Sequence, residues 1–348
     1  ALSTLAEPTR GRLVRTWVGA SRGDSGKTRL TFLWEPASTS QSQLSETASQ
    51  VRLMAMSDAA AYFRGDVPAR TSTTLPRVEF EADPGLLELN VAIEDEFGDV
   101  IDRAVEELTA ARGEGLRTMV DVTTIDLGRD VRLLEQVSRE SGVNIICATG
   151  TWRDIPRVFH FASPDHIAPL YIREIEEGIE GTGIRAGIIK VANDRGGVTP
   201  EGEIILRAAA RAQKATGVPI STHTWAPERV GEQQVRIFED EGVDLNRVYV
   251  GHSNDTTDIS YLTGLLAKGV WIGLDRYPGR QTSETPDWVG RTETAKKLID
   301  AGYGNRIMLG HDRSVTIMIT SRQLLEDRRR HNPDGYLFIT RNVIPKLK

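Results

Sequence analysis

The chain has 348 residues, a formal net charge of -6 and a single cysteine, Cys147. That length accommodates one large α/β barrel with an appendage or two ordinary domains, the acidic balance leaves no electrostatic footprint for nucleic acid, and a lone cysteine excludes an internal disulfide. No apolar run approaches the roughly 20 residues of a membrane helix, and residues 1–8 lack the basic flank and apolar core of a leader, so a soluble cytoplasmic protein without a membrane partner is expected.

Residues 1–90 form an unassigned region that is rich in serine, threonine and arginine, contains no histidine, and offers short strands at residues 29–34 and 77–81. The run from Gly23 to Thr28 has the look of a phosphate loop, but that motif needs glycine five places before Gly26, where Ser21 stands. It reads as a polar turn.

From Phe97 the pattern becomes regular. Val100, Ile101, Ala104, Val105 and Leu108 recur at helical spacing, and apolar strand-like runs then alternate with helical stretches as far as Asp312. The runs at 118–124, 143–150, 187–192, 219–224, 248–253, 271–276 and 307–312 give seven strands, and strict alternation with helices predicts a parallel sheet. The expectation is an α/β protein, a (β/α)8 TIM barrel over residues 91–348 that is short at its C-terminal end and whose first strand is atypical or missing. An eighth strand has to come from before Phe97.

Polar residues close these runs. Lys190, His223, His252, Asp275 and Asp312 follow one another at intervals of 33, 29, 23 and 37 residues, close to the approximately 30 that one strand plus helix occupies in such a barrel. Ligands of α/β sheets bind at the carboxyl ends of the strands, so five consecutive units offer side chains to one rim. Imidazole nitrogen and carboxylate oxygen suit zinc first, with manganese, cobalt or iron as alternatives. An ammonium cannot bind a metal, but a buried Lys190 whose pKa falls could take up carbon dioxide and bridge two ions as an anionic carbamate, N6-carboxylysine. Asp312 would then hold a metal-activated water and receive its proton. Each residue also has a plainer reading: Lys190 as an ion-pair partner, either histidine alone as a satisfied core residue, Asp275 and Arg276 as a simple ion pair.

The segment from Phe97 to Lys348 resembles the phosphotriesterase family of the amidohydrolase superfamily, including its lactonases. The resemblance rests on the strand of Gly187–Ala192, on Ser221–Thr224, on Gly251–Asp255 and on Gly310–Asp312. It implies that Lys190 bridges two divalent metals, that His223 and His252 ligate the second, and that Asp312 ligates the first and is catalytic. Trp152, just beyond the strand ending at Gly150, could line a substrate pocket or merely cover the barrel mouth; the resemblance further implies that Arg276 and Tyr277 border that pocket, with a small-molecule phosphotriester or lactone ester as substrate and a homodimer. The family's His-x-His pair at the end of the first strand has no counterpart, because no histidine precedes His160. One metal or two per chain is therefore left open. The expected function is a metal-dependent hydrolase, and the alternative is a catalytically inactive barrel, a pseudoenzyme or fusion product, that acts as a binding protein.

Overall fold

In a computed structural model, the described residues are all except 1, 5–13, 23–27, 37–49, 58–59, 69–76, 83–87, 154, 280–282 and 316–321. The polar turn expected at residues 23–27 and the serine-rich run after Pro36 lie outside them. The chain divides into two compact units, Ala1–Arg103 and Ala104–Lys348.

The first unit is built of antiparallel strands. β1 (Leu2–Thr4), β2 (Val14–Arg22), β3 (Thr28–Pro36) and β6 (Arg77–Ala82) pair in the order β1-β2-β3-β6, while β4 (Gln50–Ser57) pairs with β5 (Ala60–Pro68) on one side and β7 (Glu88–Ile93) on the other. Of these, the sequence offered short strands at residues 29–34 and 77–81, which fall within β3 and β6; the others carry too many small and polar residues to read as strands singly. The helix α1 (Glu94–Gly113) follows β7 directly.

The second unit is an α/β fold with a curled, incomplete parallel sheet of seven strands. These are β8 (Thr118–Asp121), β9 (Asn144–Gly150), β10 (Ile188–Ala192), β11 (Ile220–His223), β12 (Val248–Val250), β13 (Trp271–Leu274) and β14 (Ile307–Leu309), paired strictly in chain order. Between them run α2 (Val131–Ser141), α3 (Pro164–Glu176), α4 (Pro200–Thr216), α5 (Val230–Asp240), α6 (Ile259–Ala267) and α7 (Trp288–Leu298), with α8 (Arg322–His331) and α9 (Ile344–Leu347) after β14. Among the described residues this is a partial TIM barrel, as the expected (β/α)8 barrel with an atypical or missing first strand implied. The helices begin where side chains can cap them: Asp130, Thr199, Asp258 and Asp287 each accept a backbone N–H of the first turn. Of the helix expected from Ser314 to Arg330, residues 316–321 lie outside the described residues, and the described part is the helix Arg322–His331.

Register sorts the strand residues into two faces, because successive side chains point oppositely. Ile189, Ile220, Val248, Val250, Ile272 and Leu274 lie in one buried cluster with Leu206, Ala209, Phe238 and Leu262 of the helices. The alternate set, which includes Val120, Ile146, Lys190, His223, Tyr249 and Met308, therefore faces the concave side. Two glycines make this possible. A Cβ at Gly150, where φ is +112°, would come within 1.9 Å of the Lys190 carbonyl oxygen, and one at Gly273 would lie 2.2 Å from the Tyr249 hydroxyl.

Candidate ligand site at the strand ends

The sheet brings Lys190, His223, His252, Asp275, Arg276 and Asp312 to the carboxyl ends of neighbouring strands. Lys190 is buried to 3% exposure on β10, 5.7 Å from the centre of the Trp152 ring. Burial pushes its amine down to about 8, against the attraction of Asp275 and Asp312. Among the described residues, no hydrogen bond or ion pair holds it. His223 ends β11; its ring meets Trp152 edge-on at 4.7 Å and His252 at 4.4 Å between centroids. Both of its ring nitrogens lack a hydrogen-bond partner, the Asp194 carboxylate standing 3.5 Å from Nε2. Burial, reinforced by His252, pushes His223 down to about 3, so its ring is neutral at physiological pH. His252 and Asp312 adopt φ of +60° and +47°, in the left-handed region that costs non-glycine residues energy and clusters at functional sites.

The carboxylates at this rim already have cationic or donor partners. Asp275 accepts from the Tyr249 hydroxyl at 2.8 Å, the His252 backbone N–H at 2.7 Å and His252 Nδ1 at 3.0 Å. Burial opposes ionisation of Asp275, but these contacts outweigh it and hold its carboxyl below the ordinary value. Arg276 Nε donates to Asp312 at 3.0 Å, and its Nη1 is bonded to Asp255, which also receives Arg291 Nη1 at 2.8 Å. The simple Asp275–Arg276 pair read from the sequence is thus two separate networks. For Asp312, too, burial is outweighed: His252 and Arg276 keep its carboxyl far below the carboxylate range. Tyr249→Phe, which deletes one bond to an ionised carboxylate, is expected to cost about 1.5 to 3 kcal/mol in urea unfolding.

Beside this cluster lies a cavity of about 280 Å³ lined by Arg153, Asp194, Arg195, Trp225 and Arg276. The Arg195 guanidinium stacks 4.1 Å from the Trp225 ring centre and pairs with Glu284 at 2.5 Å; Arg153 pairs with Asp194 at 2.8 Å. Of the pocket residues expected from the sequence, Arg276 lines this cavity, Trp152 is half-buried against His223, and the Tyr277 side chain is buried. Asp194, Arg195 and Trp225 had no assigned role in the sequence reading. Their position two or three residues past the ends of β10 and β11 was the available signal.

The metal centre expected from the sequence is corrected here. Among the described residues, no group of three or more histidine, cysteine, aspartate or glutamate side chains is placed to hold a metal ion. The physical reason is visible in the donor set. The two nearest carboxylates are committed to Arg276 and to His252 and Tyr249, Lys190 presents an amine, and no histidine pair precedes β8 to supply further ligands. These residues do not fit zinc or the other ions considered, nor a carboxylated lysine bridging two of them. The metal-dependent hydrolase reading falls with the centre it required.

The fold and rim define an incomplete (β/α) barrel with its site at the carboxyl ends of the strands. The chain belongs to the phosphotriesterase family, whose model matches residues 85–348. It is 43% identical over 216 residues to an aryldialkylphosphatase of Saccharolobus solfataricus, covering 62% of this chain and 68% of that protein. A phosphotriesterase homology protein of Mycobacterium tuberculosis is 39% identical over 255 residues, 70% of this chain and 76% of that protein. An N-acetyltaurine hydrolase of Dictyostelium discoideum is 30% identical over 255 residues, 70% and 66% respectively. Among the described residues, no helix is long and apolar enough to cross a membrane.

Proposed function

We propose that this chain is a binding member of the phosphotriesterase family, a barrel that holds a small organic ester at its rim without metal-dependent turnover. The observation that carries this reading is the lock of Arg276 on Asp312. A general base works best with a pKa near the operating pH. Asp312, held far below that range by His252 and Arg276, is a poor proton acceptor. Among the described residues His223 is neutral with no hydrogen-bond partner on its ring nitrogens and Lys190 has no ion pair, which leaves polar groups at the same rim to receive a ligand. Arg153 and Arg195 offer guanidinium donors to ester oxygens, and Trp225 offers an aromatic face.

The test uses an aryl dialkyl phosphate and a γ-lactone as probes, with the full chain. Titration calorimetry is expected to give saturable binding of at least one probe, recovered intact, with hydrolysis at the buffer rate whether or not zinc, manganese or cobalt is added. Trp225→Ala should weaken binding by roughly threefold to thirtyfold, the range of a cation–π platform. Metal-stimulated hydrolysis that disappears in Asp312→Asn would overturn the reading, as would the absence of binding by either probe.

A further inference from the structure

The cavity beside the rim is lined by three guanidinium groups, Arg153, Arg195 and Arg276, by one carboxylate, Asp194, and by the Trp225 ring. At about 280 Å³ it is smaller than most pockets that enclose a whole ligand, so it takes one end of a ligand. Guanidinium groups only donate hydrogen bonds. Asp194 is already engaged: it accepts from Arg153 Nη1 at 2.8 Å and from the Arg195 backbone N–H at 2.9 Å, and His223 Nε2 stands 3.5 Å away. A group that enters this cavity therefore meets cationic donors and one aromatic face.

The chain's own residues show which acceptor Arg195 takes. The Glu284 carboxylate receives Arg195 Nη1 at 3.0 Å and Nη2 at 2.5 Å, the two-pronged geometry in which a guanidinium recognises a planar carboxylate. Stacking 4.1 Å from the Trp225 ring centre fixes the plane of that guanidinium. The pair with Glu284 is nevertheless an exposed one, both side chains being 53% accessible, and such pairs contribute little. Arg276 differs, because it is buried and bonded to both Asp255 and Asp312. Glu228, another acid near Arg195, is occupied by the Gly196 backbone N–H at 2.7 Å. Glu284 is thus the acid on Arg195 that an incoming carboxylate can replace at small cost.

We propose that the ester held at this rim carries a carboxylate, which enters the cavity, displaces Glu284 and forms a two-pronged pair with Arg195 beside the Trp225 ring. The inference rests on the reading of the rim as an ester-binding site and names the class of ester. Glu284 is an internal competitor: it holds Arg195 in the free protein and yields it in the complex. An uncharged or cationic end has no fork of acceptor oxygens with which to take its place.

The test compares phenyl diethyl phosphate with its para-carboxylate derivative by titration calorimetry on the full chain, and the readout is the ratio of the two affinities. The carboxylate is expected to bind about fivefold or more tightly than the parent ester. Arg195→Gln should bring the ratio close to unity. Glu284→Gln should move it the other way, raising it by about twofold to fivefold, the worth of an exposed ion pair. That gain should vanish when Glu284→Gln is combined with Arg195→Gln, because the competition runs through Arg195. Arg195 and Glu284 are both half-exposed, so neither change removes a buried contact of the fold. The proposal is overturned by equal affinities in the parent chain, by a ratio that Arg195→Gln leaves intact, or by a ratio that Glu284→Gln leaves unchanged or lowers. It is also overturned by a gain that persists in the double variant. Binding of both probes without preference sinks this inference alone, whereas binding of neither sinks the ester-binding reading as well.

Discussion

Asp255→Ala is expected to lower the stability of the barrel unit by about 3 to 5 kcal/mol, the usual cost of removing one partner from a buried ion pair. Asp255 is the shared counter-ion of Arg276 and Arg291; all three are buried, and Arg291 Nη1 also donates to the Asn254 carbonyl at 2.7 Å. Truncating the aspartate takes the acidic partner from Arg291 and leaves Arg276 with Asp312 alone, in a low-dielectric interior where little else can solvate the guanidinium charge. Differential scanning calorimetry should record a fall in Tm of about 6 to 20 °C for a unit of this size. It should also record release of Arg276 from its place, read as a change in ligand affinity at the rim. A Tm within about 2 °C of the parent, less than 1 kcal/mol on the same scale, would mean that water reaches the two arginines and that the network contributes nothing.

Lys190→Met is expected to act in the opposite direction and to stabilise. Burial lowers the Lys190 amine from 10.5 to about 8, so carrying its charge in the folded state at neutral pH costs about 3 kcal/mol relative to the unfolded chain. The sign follows from proton counting. Between pH 8 and 10.5 the unfolded chain binds more protons at this position than the folded one, so parental stability rises across that interval as the penalty is relieved. Methionine has no such penalty. Its advantage should be full below pH 8 and should shrink towards pH 10.5, which urea midpoints taken at several pH values would reveal. A constant advantage would assign the effect to packing, and a destabilised variant would mean that an ion pair with Asp275 or Asp312 outweighs the burial.

How much of this was legible in the sequence varies with the range of the interaction concerned. The barrel strands were readable because a parallel strand covered on its outer face is a nearly uninterrupted apolar run, as in Ile188–Ala192 and Trp271–Leu274. Likewise, helix starts carry local capping residues such as Asp130 and Thr199. The antiparallel strands of residues 1–93 were mostly missed because their composition is not strongly apolar, even though β2 pairs with β3 and β4 with β5, close neighbours in the chain. Residue type at the strand ends was readable too, and the structure brings Lys190, His223, His252 and Asp312 to one rim. Their expected chemistry was overturned, because it depends on which partner each side chain meets.

The sequence by itself determined the family, the succession of strands and helices, the absence of a histidine pair before the barrel, and the polar residues delivered to the rim. These follow from local composition and periodicity, which act over one element at a time. Only the tertiary structure decided that Arg276 joins Asp255 to Asp312, that His252 and Tyr249 occupy Asp275, and that, among the described residues, β8 and β14 are the two ends of the sheet, with Val120 and Met308 exposed. A carboxylate's availability to a metal or a proton is set by what lies within about 4 Å of it, and that neighbourhood is assembled from elements distant in the chain.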